Sequence, residues 1–194
     1  RPGRWTREQI LEEHAFGLEL AAAECPVVVP LALGDGATLH QWQGFLFCLY
    51  PRKGGHAPEL ERPDVLLMLG RLLGRMHAIG STRPFATRPV LNVADFGHAS
   101  AGYLLEHRIP SSLRRAYESL ARDLLRRLDS ILDQRFLQAG IRVHGDLHVG
   151  NMLWRNDYFH FVDLDDCRMA PAVQDLWMLL SGERQDRLWQ LQEL

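Results

Sequence analysis

Apolar side chains recur at helical spacing in several stretches of the chain, and each stretch predicts a helix. The first is opened by TREQ at 6–9, a capping box in which the Thr6 hydroxyl and the Gln9 side chain satisfy backbone groups at the helix start. Glu13 shares a face of this helix with apolar residues. The other helical stretches are 63–77, 110–136 and 171–182.

Shorter apolar runs bounded by turn residues predict strands. VVVPLAL at 27–33 precedes a glycine-rich turn, and GFLFCLYP at 44–51 is expected to be a buried strand. After Gly140, the runs IRV with NMLW and then FHFVDL flank the turn pair Asn156-Asp157, which predicts a small hairpin. A helix and strands followed by helices that a hairpin interrupts predict an α+β fold.

The composition indicates a globular chain whose net charge gives no general attraction to a highly charged partner. Of its 194 residues, 46% are hydrophobic, and the formal net charge is -2. Neither nucleic acid nor an anionic membrane is therefore an expected partner. The longest apolar runs are far shorter than the roughly 20 residues that cross a bilayer. Three cysteines without a CxxC pair indicate a reducing cytoplasm.

A polar cluster, VHGDLHVGN at 143–151, lies between two apolar runs. It contains the spacing H-x-D-x-x-x-x-N, formed by His144, Asp146 and Asn151, and Asp163 follows twelve residues after Asn151. This is the spacing of a kinase catalytic loop. A carboxylate such as Asp146 can orient a hydroxyl and accept its proton, while Asn151 and Asp163 supply the oxygen ligands that Mg²⁺ prefers. The hairpin is expected to bring these residues together.

The segments HGDLHVGNMLWR, FVDLDD and MAPAVQDLWMLL, with the opening RPGRWTREQILEEHAF, resemble the aminoglycoside phosphotransferase-like kinases. They most closely resemble the bacterial stress response kinase A family. The resemblance covers nearly the whole chain. It implies a two-lobed, protein-kinase-like α+β fold that is truncated at both ends, with a partial N-terminal lobe at 1–50 and a mainly helical C-terminal lobe at 51–194.

The resemblance also implies a role for individual residues. Asp146 is the expected catalytic aspartate, and Asn151 and Asp163 are the expected magnesium ligands. Glu13 is expected to pair with the lysine that anchors ATP, with the adjacent Glu12 as the alternative.

Further residues are implied as nucleotide contacts or as structural supports. The hinge contacts adenine through backbone groups of Cys48, Leu49 and Tyr50. His144 braces the catalytic loop, and Asp175, at the start of its helix, anchors the backbone amides of the HGD sequence.

The implied activity is the ATP- and Mg²⁺-dependent transfer of a γ-phosphoryl group to serine or threonine of a protein, in the stress response of the bacterial cytoplasm. A monomer is favoured. The alternatives are a small-molecule phosphotransferase, acting on an aminoglycoside or a metabolite, and a nucleotide-binding module without catalysis. The alternation of His144, Asp146 and His148 raises a zinc hydrolase as a further alternative.

The chain also departs from the family pattern. It begins at Arg1 and contains neither a phosphate-cradling glycine loop nor the strand lysine, so this 194-residue piece is expected to transfer phosphate weakly or not at all. Only eleven residues separate Asp163 from Asp175, which leaves no room for a long activation segment. Asp165 and Asp166 fit either a second metal or substrate site or a solvated turn.

Overall fold

The structure, a computed structural model, describes residues 4–132 and 140–194. The helices in these residues are α1 (Arg7–Ala22), α2 (Pro63–Gly80), α3 (Ser100–His107), α4 (Ser111–Ile131) and α5 (Arg184–Glu193). The strands are β1 (His40–Trp42), β2 (Phe45–Phe47), β3 (Ile141–Val143), β4 (Met152–Arg155), β5 (Tyr158–Phe161) and β6 (Arg168–Ala170). This mixture of helices and small sheets confirms the predicted α+β class.

The chain divides into two compact units. One comprises the described residues of Arg1–Pro89 and Ile141–Leu194, and the other comprises those of Val90–Gly140. All six strands lie in the first unit, whereas the second contains α3 and α4 after a π-helical turn, Ala94–Ala99. The predicted boundary near residue 50 between two lobes stays a prediction.

Helix α1 begins as its sequence predicts. The Thr6 hydroxyl accepts a hydrogen bond from the Gln9 amide N–H, and the Gln9 side chain accepts one from the Thr6 N–H. These reciprocal bonds satisfy donors that a helix start leaves without partners. The predicted capping box is therefore confirmed, and the helix then buries Phe16 and Leu20.

The core of the first unit lies between α1, α2 and the β4–β5 hairpin. Helix α2, with Pro63 in its first turn, turns one apolar face inwards. Its buried residues include Leu66, Leu69, Leu73 and Met76, which pack in one cluster with residues of α1 and the hairpin. Burying one such side chain contributes about 1.5–3 kcal/mol.

The predicted hairpin is confirmed. Strands β4 and β5 pair antiparallel, with Met152 opposite Phe161. Their connection is Asn156-Asp157, and both residues have positive φ, 53° and 57°, as a type I′ turn requires. The backbone of Val27 bridges to Phe161 on the outer edge of β5, which fixes the hairpin against the residues that follow α1.

Two predicted strands differ from the structure. The run 27–33 makes only the isolated Val27 bridge, because Pro26 and Pro30 have no N–H with which to extend a ladder. The run 44–51 forms only the short β2, which pairs with β1. Its expected burial is wrong, since Phe45 is 67% exposed. The run is apolar as predicted, but no described element covers it.

Two predicted helices differ from the structure in form or in described length. The stretch 171–182 forms two 3-10 turns, Ala172–Asp175 and Trp177–Leu179, instead of a continuous helix. Here the tertiary burial of Asp175 and Leu179 overrides helical spacing. The predicted helix from Pro110 is confirmed as α4, although the part of the prediction at 133–136 lies outside the described residues. No helix within the described residues has the length and apolar character to cross a membrane.

Candidate active site

The HGD sequence at 144–146 contains a glycine that the fold requires. Gly145 has φ +84°, and a Cβ at this position would collide with the carbonyl oxygen of Asp166. A side chain here would therefore separate the loop from the segment after Asp163. The loop ends in a 3-10 turn, Val149–Asn151, which places Asn151 at the entrance to β4.

His144 is fully buried and links two parts of the site. Its Nε2 lies 2.9 Å from the carbonyl oxygen of Val162, and its Nδ1 accepts a hydrogen bond from the Asp146 N–H at 3.4 Å. A carbonyl can only accept, so Nε2 carries the proton. His144 thereby joins the backbone of Asp146 to the residue before Asp163.

Asp175 holds the same loop from the other side. Its buried carboxylate accepts hydrogen bonds from the backbone N–H groups of His144 and Gly145, both at 2.9 Å. It lies in a 3-10 turn, where the sequence predicted the start of a helix. His77 Nε2 lies 3.1 Å from the same carboxylate. Sequence reasoning missed His77, whose one signal is its helical register with the buried Leu73.

Asp146 and Asn151 are brought together by this loop. The Asn151 side-chain amide donates to the Asp146 carbonyl oxygen at 2.9 Å and lies 3.5 Å from the Asp146 carboxylate oxygen Oδ2. Asn151 is buried, whereas the Asp146 side chain is 42% exposed. His148 Nε2 lies 3.8 Å from Oδ2. The backbone of Asp146 is thus fixed, while its carboxylate stays open to solvent.

Asp163 directly follows Val162, whose backbone is bonded to the end of the loop. The Val162 N–H donates to the Asn151 carbonyl oxygen at 3.0 Å. This bond brings the backbone next to Asp163 into contact with the backbone of Asn151. Asp163 has a left-handed backbone, φ 63°, a conformation that Asp tolerates better than most side chains and that often marks a functional position. Its exposed carboxylate and the Oδ1 of Asn151 are oxygen donors that suit Mg²⁺.

A cavity of about 1010 Å³ adjoins this loop and contains several of the predicted residues. Glu13, Cys48, Tyr50 and Asp163 line it. Leu49 does not, and its carbonyl oxygen accepts a hydrogen bond from the Leu31 N–H at 2.7 Å. Asp146 and Asn151 also lie outside its lining and connect to it through the Val162–Asn151 backbone bond.

Glu13, and not Glu12, faces the cavity. Burial raises the pKa of Glu13 to about 7, although the Arg88 guanidinium, 3.7 Å away, opposes this shift. The Tyr50 hydroxyl lies 3.5 Å from Glu13 Oε1. Burial likewise raises the pKa of Tyr50 above its ordinary range. Glu12 instead accepts backbone hydrogen bonds from Thr87 and Arg88.

The two aspartates after Leu164 are paired with arginines. Arg4 lies 2.9 Å from Asp165 and also bonds to Asp166. Arg168 lies 2.8 Å from Asp166. In residues 4–132 and 140–194, no three His, Cys, Asp or Glu side chains form a group that could hold a metal ion. Both ring nitrogens of His144 already have hydrogen-bond partners, so the zinc alternative has no geometric support.

Comparison with known sequences reveals a consistent set of relatives. The model of a family described as the phosphotransferase enzyme family matches residues 1–193. Stress response kinase A of Escherichia coli K12 is 41% identical over 202 residues, and so is serine/threonine protein kinase RdoA of Salmonella typhimurium. Each match covers 100% of this chain and 58% of the relative. The predicted resemblance is therefore confirmed, and the chain spans little more than half the length of these relatives.

Solved structures with the same fold are more distant in sequence. Amicoumacin kinase hAmiN, in complex with AMP-PNP, Ca²⁺ and Ami, has a TM-score of 0.75 at 18% identity, over 98% of this chain and 62% of that chain. A microcompartment-associated aminopropanol kinase has a TM-score of 0.71 at 18% identity, over 100% of this chain and 64% of that chain. These likenesses establish the predicted aminoglycoside phosphotransferase-like fold.

Proposed function

Since the chain belongs to the phosphotransferase enzyme family, we propose that it transfers the γ-phosphoryl group of ATP to a hydroxyl group that Asp146 orients. One observation carries the proposal. The partly exposed Asp146 carboxylate is held by Asn151, and Asn151 is bonded through the backbone to the residue before Asp163, on the cavity wall.

Asp146 is the proposed catalytic residue because its surroundings suit proton acceptance. Its backbone is fixed by hydrogen bonds to His144 and Asn151, while its carboxylate stays accessible to an incoming hydroxyl. A positioned carboxylate at hydrogen-bond distance aligns the attacking oxygen and takes up its proton, which contributes about 10²–10⁴-fold to a rate.

Asn151 and Asp163 are the proposed magnesium ligands. The Asn151 side-chain nitrogen donates to Asp146, and its side-chain oxygen is the atom proposed to contact the cation. Asp163 provides an exposed carboxylate at the cavity wall. When bound, Mg²⁺ neutralises charge on the phosphate oxygens. The two side chains fix where that charge is neutralised.

The cavity is the proposed nucleotide site. Apolar side chains that can cover adenine line it, and they include Val28, Leu39 and Leu153. Arg52 and Lys53, the single lysine of the chain, follow the predicted hinge and also line it. Structural neighbours in complex with AMP-PNP, or with ADP and spectinomycin, support a nucleotide as the co-substrate.

The proposed acceptor is a serine or threonine hydroxyl of a protein. The names of the 41% identical relatives, stress response kinase A and serine/threonine protein kinase RdoA, support this class. The small-molecule alternative draws its support from solved structures such as the aminopropanol kinase.

Incubation with labelled ATP, Mg²⁺, a bacterial lysate and an aminoglycoside panel tests both parts of the proposal. We expect label on protein serine or threonine, and a loss of at least about 100-fold in Asp146→Asn with nucleotide binding retained. Asp157→Asn, in the exposed hairpin turn, is the matched control. Undiminished transfer by Asp146→Asn would refute the role of Asp146, and label on an aminoglycoside would refute the protein acceptor.

A further inference from the structure

A buried arginine lies between helix α1 and the segment that follows Asp163. Arg88 is 4% exposed, and its Nε donates to the Cys167 carbonyl oxygen at 2.8 Å. Its Nη2 donates to the Asp165 carbonyl oxygen. Towards α1, its Nη1 donates to the Gln9 carbonyl oxygen at 3.4 Å and lies 3.7 Å from Glu13 Oε2. One guanidinium therefore contacts both elements.

The backbone that carries Arg88 is itself fixed to α1. Glu12 accepts hydrogen bonds from the N–H groups of Thr87 and Arg88, at 2.8 and 2.9 Å. The Gln9 side chain donates to the Thr87 carbonyl oxygen at 2.9 Å. The Arg88 guanidinium also lies over the Trp5 ring, 4.2 Å from its centroid. Because burying an unpaired guanidinium costs several kcal/mol, this set of contacts specifies one position for it.

The two carbonyl groups that Arg88 holds lie in the stretch that begins with Asp163, residues 163–167, here called the metal segment. Asp165 lies in the 3-10 turn Leu164–Asp166, which starts directly after the left-handed Asp163, and Cys167 ends that turn. A left-handed backbone at a residue other than glycine persists when its surroundings fix it. Arg88 holds the turn from its buried side, and so fixes the backbone that carries the Asp163 side chain.

We propose that Arg88 is a positioning residue that holds Glu13 and the Asp163 segment in one arrangement, so that Asp163 is placed for Mg²⁺ before nucleotide binds. The inference rests on the proposed function. Arg88 is also the cation that pairs with Glu13 among the described residues. Lysine cannot replace it fully, because one ammonium group lacks the planar fork that reaches Cys167, Asp165 and Gln9 together.

If Arg88 only stabilises the fold, any variant that is equally destabilised should show the same effects. A control variant that loses similar stability elsewhere in the chain therefore separates the structural role from the positioning role. Glu19→Gln is suited to this purpose. Glu19 pairs with the buried Arg142 at 2.7 Å, and neither residue lines the cavity. This variant should lower the melting temperature without disturbing the metal segment.

The experiment compares Arg88→Met, Arg88→Lys and Glu19→Gln with the unmodified chain. One readout is the Mg²⁺ concentration that gives half-maximal binding of ATP. The other is hydrogen exchange at the amides of 163–168, which needs neither metal nor turnover. We expect Arg88→Met to raise the Mg²⁺ requirement about tenfold or more, as loss of a residue supporting a metal ligand does. Exchange at these amides should accelerate, and Arg88→Lys should give intermediate values.

Glu19→Gln, measured at the same interval below its melting temperature as Arg88→Met, should change neither the Mg²⁺ requirement nor the exchange at 163–168. If Arg88→Met and Glu19→Gln behave alike in both, the positioning role is wrong. If Arg88→Met does not fold, Arg88→Lys decides, and an unchanged Mg²⁺ requirement with unchanged exchange overturns the proposal. If the unmodified chain binds ATP without any Mg²⁺ dependence, the proposed function fails, while the exchange comparison still tests the contact made by Arg88.

Discussion

The environment of Glu13 makes the stability of the folded chain depend on pH. Burial raises the pKa of Glu13 from 4.5 to about 7, and the nearby carboxylates Asp165 and Asp163 add to the effect of burial. A raised pKa means that the folded chain favours the protonated carboxyl. Its contribution to stability is complete below pH 4.5 and is lost as the pH rises through about 7.

We therefore predict that Glu13→Gln is less sensitive to pH than the unmodified chain. The variant keeps a neutral side chain, so the difference in unfolding free energy between the two proteins should shift by up to about 3 kcal/mol as Glu13 ionises. Urea unfolding at a series of pH values measures this difference. A difference that stays constant between pH 4.5 and about 7 would show that Glu13 is already ionised in the folded chain over this range.

The residues that sequence reasoning found and those it missed differ in kind. Asp146, Asn151 and Asp163 stand at fixed spacing in the sequence, and spacing is visible without a structure. Arg88 and His77 act across long stretches of chain, through a bond to the Cys167 carbonyl oxygen and a contact with the Asp175 carboxylate. The helical register of His77 with the buried Leu73 is a weak signal, and no spacing motif marks Arg88.

At the scale of elements, the β4–β5 hairpin sets the position of Asp163, and its turn can be strengthened. Asp157 has φ 57°, which glycine adopts without strain and alanine does not. We predict that Asp157→Gly raises the unfolding free energy, as the preference for Asn-Gly in type I′ turns indicates. Asp157→Ala is the matched variant and should lower it. Urea midpoints that rank the two in the opposite order would contradict the assigned turn.

Asp175 links α2 to the HGD sequence, through its contacts with His77 and with the His144 N–H. Its buried carboxylate accepts from two backbone N–H groups, and an amide has only one oxygen to offer them. We predict that Asp175→Asn lowers the unfolding free energy by about 2 kcal/mol and slows transfer, because the backbone of the HGD sequence loses its support. Asp123→Asn, on the exposed face of α4, is the control and should change neither quantity. Stability equal to that of the unmodified chain would argue against the anchor.

Elements with a strong local signal were predictable, and elements that depend on neighbours were not. The capping box of α1, the Pro63 start of α2 and the Asn156-Asp157 turn each carry their own chemistry. The apolar run at β2 looked like a core strand, but burial depends on what covers a strand and not on the strand itself. The stretch 171–182 has helical spacing, yet contacts made by Asp175 decide its conformation.

At the scale of the whole molecule, the two halves of the proposed function, binding and transfer, can be separated. A ligand that binds only the folded chain raises its unfolding free energy, by about 2.7 kcal/mol at a concentration 100 times its dissociation constant. We predict such stabilisation by ADP with Mg²⁺, measured as a shift in melting temperature. Asp146→Asn should retain it in full, because Asp146 lies outside the cavity lining.

Asp163→Asn should lose the part of this stabilisation that depends on Mg²⁺ and keep the part that ADP gives alone, because a neutral amide attracts a divalent cation less than a carboxylate does. Asp157→Asn, in the hairpin turn, is the matched control and should behave as the unmodified chain. Equal dependence on Mg²⁺ in Asp163→Asn and in the control would show that Asp163 does not hold the metal. A loss of all stabilisation in Asp146→Asn would show that the loop and the cavity form one binding site, so that Asp146 acts in binding as well as in transfer.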